Sequence, residues 1–177
     1  MLIKIFGAAV QGIDAILVTV EIAVDRGISY TIVGLPDTAV KESHERVMTA
    51  LQNSSFDVPR RRVVINMSPA DVKKEGAAYD LPIAVGLLAA TEKITEGATD
   101  RFVIMGELSL DGSVLPIRGA LPMAIMAREL GMKGIIVPKA NVTEAAVVNN
   151  LDVYGVNSLA EVTDFLNGKI ILCLDRK

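Results

Sequence analysis

The chain has 177 residues, 51% hydrophobic and 22% charged, which is the composition of one folded globular domain and excludes a disordered segment. Its net charge of −3 supplies no global field to draw it onto nucleic acid or anionic lipid, so any such contact needs a local patch. Aromatic residues are only 4% with no Trp, which argues against base-stacking platforms and leaves a core of aliphatic residues and Met.

In chain order, residues 2–10 and 14–24 read as paired strands joined at Gln11-Gly12. Ile16, Val18, Val20, Ile22 and Val24 alternate with Leu17, Thr19, Glu21 and Ala23. A third strand is predicted over 29–33. Gly34-Leu35-Pro36-Asp37 then ends it, with Asp37 capping a helix over 38–52. On that helix Val40, Val47, Met48 and Leu51 share a face, and Lys41, Glu42, Glu45 and Arg46 are expected in water. A strand follows over 62–67, then a loop over 69–79. Asp80 is expected to cap a helix over 80–90 so apolar that it must be covered on most sides.

A strand over 102–108 leads to an Asp111-Gly112 hairpin turn, and a helix over 120–130 stops at Gly131. Strands over 134–138 and 152–156 alternate with short helices opened by two capping boxes, Asn141-x-x-Glu144 and Ser158-x-x-Glu161. No repeat, linker or low-complexity segment divides the chain, so 1–177 reads as a single α/β domain. One cysteine, Cys173, excludes an internal disulfide and a multi-cysteine zinc site. Residues 1–5 do not form a secretory n-region, and the longest apolar runs are too short to span a bilayer, so a cytoplasmic location without membrane contact is expected.

Few residues offer chemistry. His44 is the sole histidine; its neighbours Ser43 and Glu45 point about 100° away on a helix, so the three make no relay and His44 reads as a helix-face residue. Gly168-Lys169 is followed by Ile170, and Thr163 stands where a phosphate loop needs Gly, so ATP is not held by that route. The acids, one His and one Cys make no metal site. Arg60, Arg61, Arg62, Lys73 and Lys74 are the densest positive charge, readable as a phosphate-contacting patch or as solvated surface. The 69–79 loop feeding a buried helix start reads as a functional site or as a capped connection.

Three segments carry a resemblance: Val33-Gly34-Leu35-Pro36-Asp37-Thr38-Ala39-Val40-Lys41-Glu42-Ser43, the stretch from Ala70 to Ala84, and Gly106-Glu107-Leu108-Ser109-Leu110-Asp111-Gly112. Pro116-Ile117-Arg118-Gly119-Ala120-Leu121-Pro122 and Ile136-Val137-Pro138 continue it in the same order. Together they resemble the N-terminal domain of the Mg-chelatase-related AAA+ ATPases, the ComM/YifB-like competence family, over nearly the whole chain. His44 departs from the Arg expected there.

The resemblance implies the fold of the Lon proteolytic domain, a two-layer α/β sandwich with one mixed sheet and its helices on one face. It also implies a downstream AAA+ module that binds ATP and Mg, a hexameric parent, and work on branched DNA during uptake and recombination. Lon-type peptidases use a Ser–Lys dyad, and the matching positions here are Ala78 and Leu121. Neither side chain can act as nucleophile or base, so no catalytic, cofactor or metal residue is expected in this chain. Two alternatives stay open: a metal-chelatase subunit, and a Lon-type peptidase working with atypical residues.

Overall fold

The computed structural model describes residues 1–58 and 60–172; Cys173 lies outside them. Strands β1 (Leu2–Gln11) and β2 (Asp14–Asp25) form a long antiparallel hairpin. They are followed by β3 (Ser29–Val33), helices α1 (Thr38–Lys41) and α2 (Ser43–Asn53), β4 (Arg62–Ser68) and α3 (Asp80–Ala90). Then come β5 (Phe102–Ile104), the small hairpin of β6 (Glu107–Leu108) and β7 (Val114–Leu115), and α4 (Ala120–Glu129). The chain continues through β8 (Gly134–Pro138), α5 (Val142–Ala145), β9 (Asp152–Val156) and α6 (Leu159–Leu166).

Seven strands make one mixed sheet in the order β3-β4-β2-β1-β5-β8-β9, and β2 alone runs against the rest. The expected single sheet of an α/β domain is therefore present. The strand expected over 102–108 divides. Its first half joins the sheet as β5, and after Met105 and Gly106 its second half pairs only with β7.

The alternation in β2 is explained by what covers it. Val18, Val20 and Ile22 are fully buried, and Gly86 of α3 sits so close over Ile5 and Ile22 that a Cβ there would lie 2.2 Å from Ile22 Cδ1. Every residue of α3 is buried, which is why that helix shows no polar stripe.

The helices are not all on one face, which corrects the sequence expectation. On β9 the Tyr154 ring meets Phe165 of α6 at 4.7 Å, whereas a Cβ on the next residue, Gly155, would meet Val142 of α5 at 2.4 Å. Adjacent strand residues point to opposite faces, so α5 and α6 lie on opposite sides. Register across the sheet (Phe6 with Val103, Val103 with Ile135, Ile135 with Val153) puts Ile5, and therefore α3, on the α6 side. Gly119, opening α4, lies against Val10 on the other side. The second face of β2 carries Ala15, Leu17, Thr19 and Glu21, apolar only near its start, so the sequence hides the layer that α4 adds.

The connections β4-α3-β5 and β5-α4-β8 step the same way along the sheet but over opposite faces, so they have opposite hands. One of them departs from the right-handed rule that governs about 98% of such crossovers.

The helix ends both confirm and correct the sequence. Asp37 Oδ1 accepts the Val40 N–H at 2.8 Å, and Ser158 Oγ accepts the Glu161 N–H at 3.1 Å. The helix expected over 38–52 is interrupted at Glu42, which ends α1 and precedes α2. Asp80 and Asn141 make no capping bond: Asp80 accepts from Arg46 of α2 and the Leu108 N–H of β6, and Asn141, at the cap position of α5, binds both main-chain groups of Ile117 and donates to the Glu144 carboxylate.

Candidate functional site

The loop over 69–79 is pinned on all sides. Leu35 O accepts the Lys74 N–H at 3.0 Å, and Lys74 O accepts the Asp37 N–H at 2.9 Å, joining the Gly34–Asp37 turn to the loop as a short ladder. Asp37, already the cap of α1, accepts the Gly76 N–H with its second oxygen at 3.0 Å. Ala78 O accepts the Gly106 N–H at 2.9 Å, and Gly106 O accepts the Leu81 N–H at 2.9 Å. Gly34 must be glycine, because its φ is +108° and a Cβ would sit 2.2 Å from Met67 O.

Lys74 is part of this structure and not of any surface. Its side chain is completely buried, and its ammonium donates to Gly34 O at 2.7 Å and to Pro69 O. Burial pushes its pKa below the ordinary lysine value, with Asp71 opposing. The sequence-based assignment of Lys74 to a phosphate-contacting patch is therefore corrected: a buried ammonium bonded to carbonyls is not available to DNA.

Arg46 is a second correction. Expected in water, it instead crosses to Asp80, with Nε to Oδ2 at 2.7 Å and a terminal nitrogen to Oδ1 at 3.0 Å, and donates to Ala39 O at 2.7 Å. Asp80 Oδ2 also accepts the Leu108 N–H at 3.1 Å, so one buried carboxylate ties α2, α3 and β6. The hydrogen bond to Asp80 raises the Arg46 pKa. Burial, the largest influence on Asp80, raises the carboxyl pKa against the opposing pull of Arg46 and the Leu108 amide. No sequence signal marks this pair, since Arg46 sits among polar neighbours and Asp80 occupies a helix start.

A cleft of about 790 Å³ opens beside the pinned loop. The end of β1, residues 8–11, forms one wall; Lys73, residues 75–79, Met105, Glu107, Pro116, Ile117, Arg118 and Met123 form the rest. Ala78 lines it, half-buried. Leu121 is 36% exposed at the start of α4, three residues past Arg118, and does not line it. Among the described residues the only side-chain hydroxyl on the cleft is that of Tyr79, which is buried and whose pKa burial raises. Lys73 lies 3.5 Å from Glu75, both well exposed.

The remaining basic residues separate. Arg62 pairs with Asp25 at one end of β4, and Ser68 pairs with Thr19 at the other, a span of about 20 Å before the chain reaches Lys73. Arg60, Arg61 and Arg62 are exposed, and Arg61 lines a second cavity of about 460 Å³ with Asp57, Glu92 and Lys93. His44 is a partly exposed helix-face residue whose ring stacks on Tyr30 at 4.0 Å. Among the described residues no three His, Cys, Asp or Glu side chains group as a metal site, and no helix is long and apolar enough to cross a membrane.

Comparison with known proteins matches residues 20–141 to the family described as subunit ChlI of Mg-chelatase. The competence protein ComM of Haemophilus influenzae is 38% identical over 166 residues, 93% of this chain and 32% of that protein. YifB of Escherichia coli is 41% identical over 162 residues, covering 91% and 32%. Lon protease 2 of Bacillus subtilis is 31% identical over 128 residues, covering 70% and 22%. The chain thus spans about a third of the length of ComM and YifB. Most of its pinned loop lies in the segments that carry the resemblance, and the chain belongs to the Mg-chelatase ChlI family, as a domain of the ComM and YifB kind with a more distant likeness to Lon proteases.

Proposed function

We propose that this chain is the non-catalytic, Lon-like domain of a Mg-chelatase-related AAA+ ATPase, a cytoplasmic, hexameric motor that remodels DNA during uptake and recombination. The observation that carries the reading is the cleft. Ala78 lines it at one of the matching dyad positions, Tyr79 holds its proton more tightly than a free phenol, and the Lys73 ammonium stands beside Glu75; Leu121, at the other position, lies outside the cleft and supplies no base. The name of ComM supports the link to competence.

ATP and Mg belong, in this reading, to the AAA+ module. The residues of this chain do not fit the nucleotide, since Gly168-Lys169 runs into Ile170 and no glycine-rich loop opens a helix. The domain serves subunit assembly, DNA contact or both, with Arg60, Arg61, Arg62 and Lys73 as the exposed cations available to phosphates. The name of the matched family favours one second reading, a subunit of a metal chelatase.

One experiment separates these. The full-length protein is assayed for ATP hydrolysis with and without branched DNA, for Mg insertion into a porphyrin, and for labelling by a fluorophosphonate. Stimulation by DNA with no insertion and no labelling is expected. Porphyrin metallation establishes the chelatase reading instead, and labelling of a single serine in this domain overturns its inactivity.

A further inference from the structure

The end of β1 is an unfinished sheet edge inside the cleft. Met1 O accepts the Val24 N–H at 3.0 Å, which fixes the phase of the β1–β2 ladder: odd-numbered residues of β1 turn their main-chain groups toward β2. The two-residue turn at Gly12-Ile13, closed by Gln11 and Asp14, requires the same phase. Phe6, Ala8 and Val10 therefore direct their main-chain groups to the other side. Phe6 meets β5 there, but β5 ends at Ile104.

Beyond that point the chain turns away, with the Met105 N–H on Ile136 O and the Gly106 N–H on Ala78 O. Among the described residues no strand takes up the Ala8 carbonyl or the two main-chain groups of Val10, which are left facing the cleft. The opposite wall does not use them either: Asn141 holds both the N–H and the C=O of Ile117, and Asp37 holds the Gly76 N–H.

We propose that this edge binds an extended segment of an unfolded polypeptide, which adds a short strand beside Val10 and is held without being cut. Open main-chain donors and acceptors on a sheet edge recognise an extended backbone irrespective of its sequence. At about 3.3 Å per residue, three or four residues of peptide match the end of β1. The charge of the cleft favours polypeptide over nucleic acid. Lys73 and Arg118 are matched in number by Glu75 and Glu107, so the cleft as a whole carries no net positive charge along which a phosphate chain would lie, and Tyr79, the one aromatic among its described lining residues, is buried. The absence of cutting rests on the reading of Ala78 and Leu121 above; the binding does not.

The test uses the full-length protein without nucleotide and fluorescein-labelled casein as the unfolded probe. Saturating casein should slow hydrogen exchange of the Val10 amide at least tenfold. Val10→Pro removes the donor at a position where the β1–β2 ladder does not use it, and Ala78→Phe fills the cleft. Each should weaken casein binding at least tenfold while exchange in β2 and β4 stays native, and either variant suffices if the other does not fold. An unprotected Val10 amide, or wild-type affinity in the folded variants, overturns the proposal. Protection of Val10 by a single-stranded oligonucleotide instead of casein also overturns it. Cleavage of the bound casein would defeat the non-catalytic reading and leave the binding intact.

Discussion

Replacing Arg46 by Met isolates the buried ion pair that ties three elements together. Asp80 is fully buried, and Arg46 supplies two of its hydrogen bonds, at 2.7 and 3.0 Å. Met keeps most of the aliphatic stem but removes the compensating charge, and stranding one member of such a pair costs about 3–5 kcal/mol. Part of that cost is recoverable by protonation. Burial already raises the Asp80 pKa and Arg46 opposes the rise, so without Arg46 the folded-state value moves further above the unfolded one.

A carboxyl raised in the folded state contributes stability that is present at low pH and lost as pH climbs through the folded pKa. The variant should therefore lose stability between pH 5 and 7.5 relative to the parent, with the deficit largest at the upper end. Urea unfolding at both pH values, with unchanged m, measures it. A deficit below about 1 kcal/mol at pH 7.5, or one equal at both pH values, would refute the assignment of Asp80 as a buried carboxylate compensated by Arg46.

Gly34→Ala should destabilise the chain by well over about 1 kcal/mol, since both its φ and the Met67 carbonyl forbid a Cβ; thermal unfolding reads this directly. Lys74→Met should cost about 1–3 kcal/mol by leaving the Gly34 and Pro69 carbonyls unpaired. A lysine whose folded pKa is lowered contributes stability that grows as pH rises from that value toward about 10.4, so as pH rises toward that limit the variant should gain less stability than the parent in the same denaturant series. Arg61→Glu and Lys73→Glu in the full-length protein should lower DNA affinity and reduce the salt slope by about 0.9 per lost phosphate contact on duplex, or about 0.7 on single strands. Unchanged slopes would assign these residues to plain solvated surface.

The sequence showed the strands and the long helices clearly because each has one dominant period: β2 alternates, and α3 is apolar all round for want of an exposed face. It showed less where one residue serves two elements. Asp80 reads as a cap because helix starts favour Asp, yet a neighbour on α2 and an amide on β6 claim its oxygens. Lys74 reads as surface because lysines are rarely fully buried, and only the fold brings Gly34 O and Pro69 O to its ammonium. The layer containing α4 was hidden by the mixed second face of β2. The cleft was legible by its loop and by Ala78, one of the two substituted dyad positions, while Leu121 falls outside it; its open β1 edge depends on where β5 stops, which no local pattern records.

The pinning of residues 69–79 also bears on how quickly the cleft could be occupied. Asp37 and the Lys74 ladder fix the loop through main-chain and carboxylate bonds that exist without any ligand. A visiting segment therefore orders only itself, and the wall it meets forfeits no conformational entropy on contact. Association should follow simple second-order kinetics with no slow closing phase, and residence should be set by the few bonds at the strand edge. A site of that kind exchanges its occupants rapidly, which suits sampling a moving chain better than retaining one.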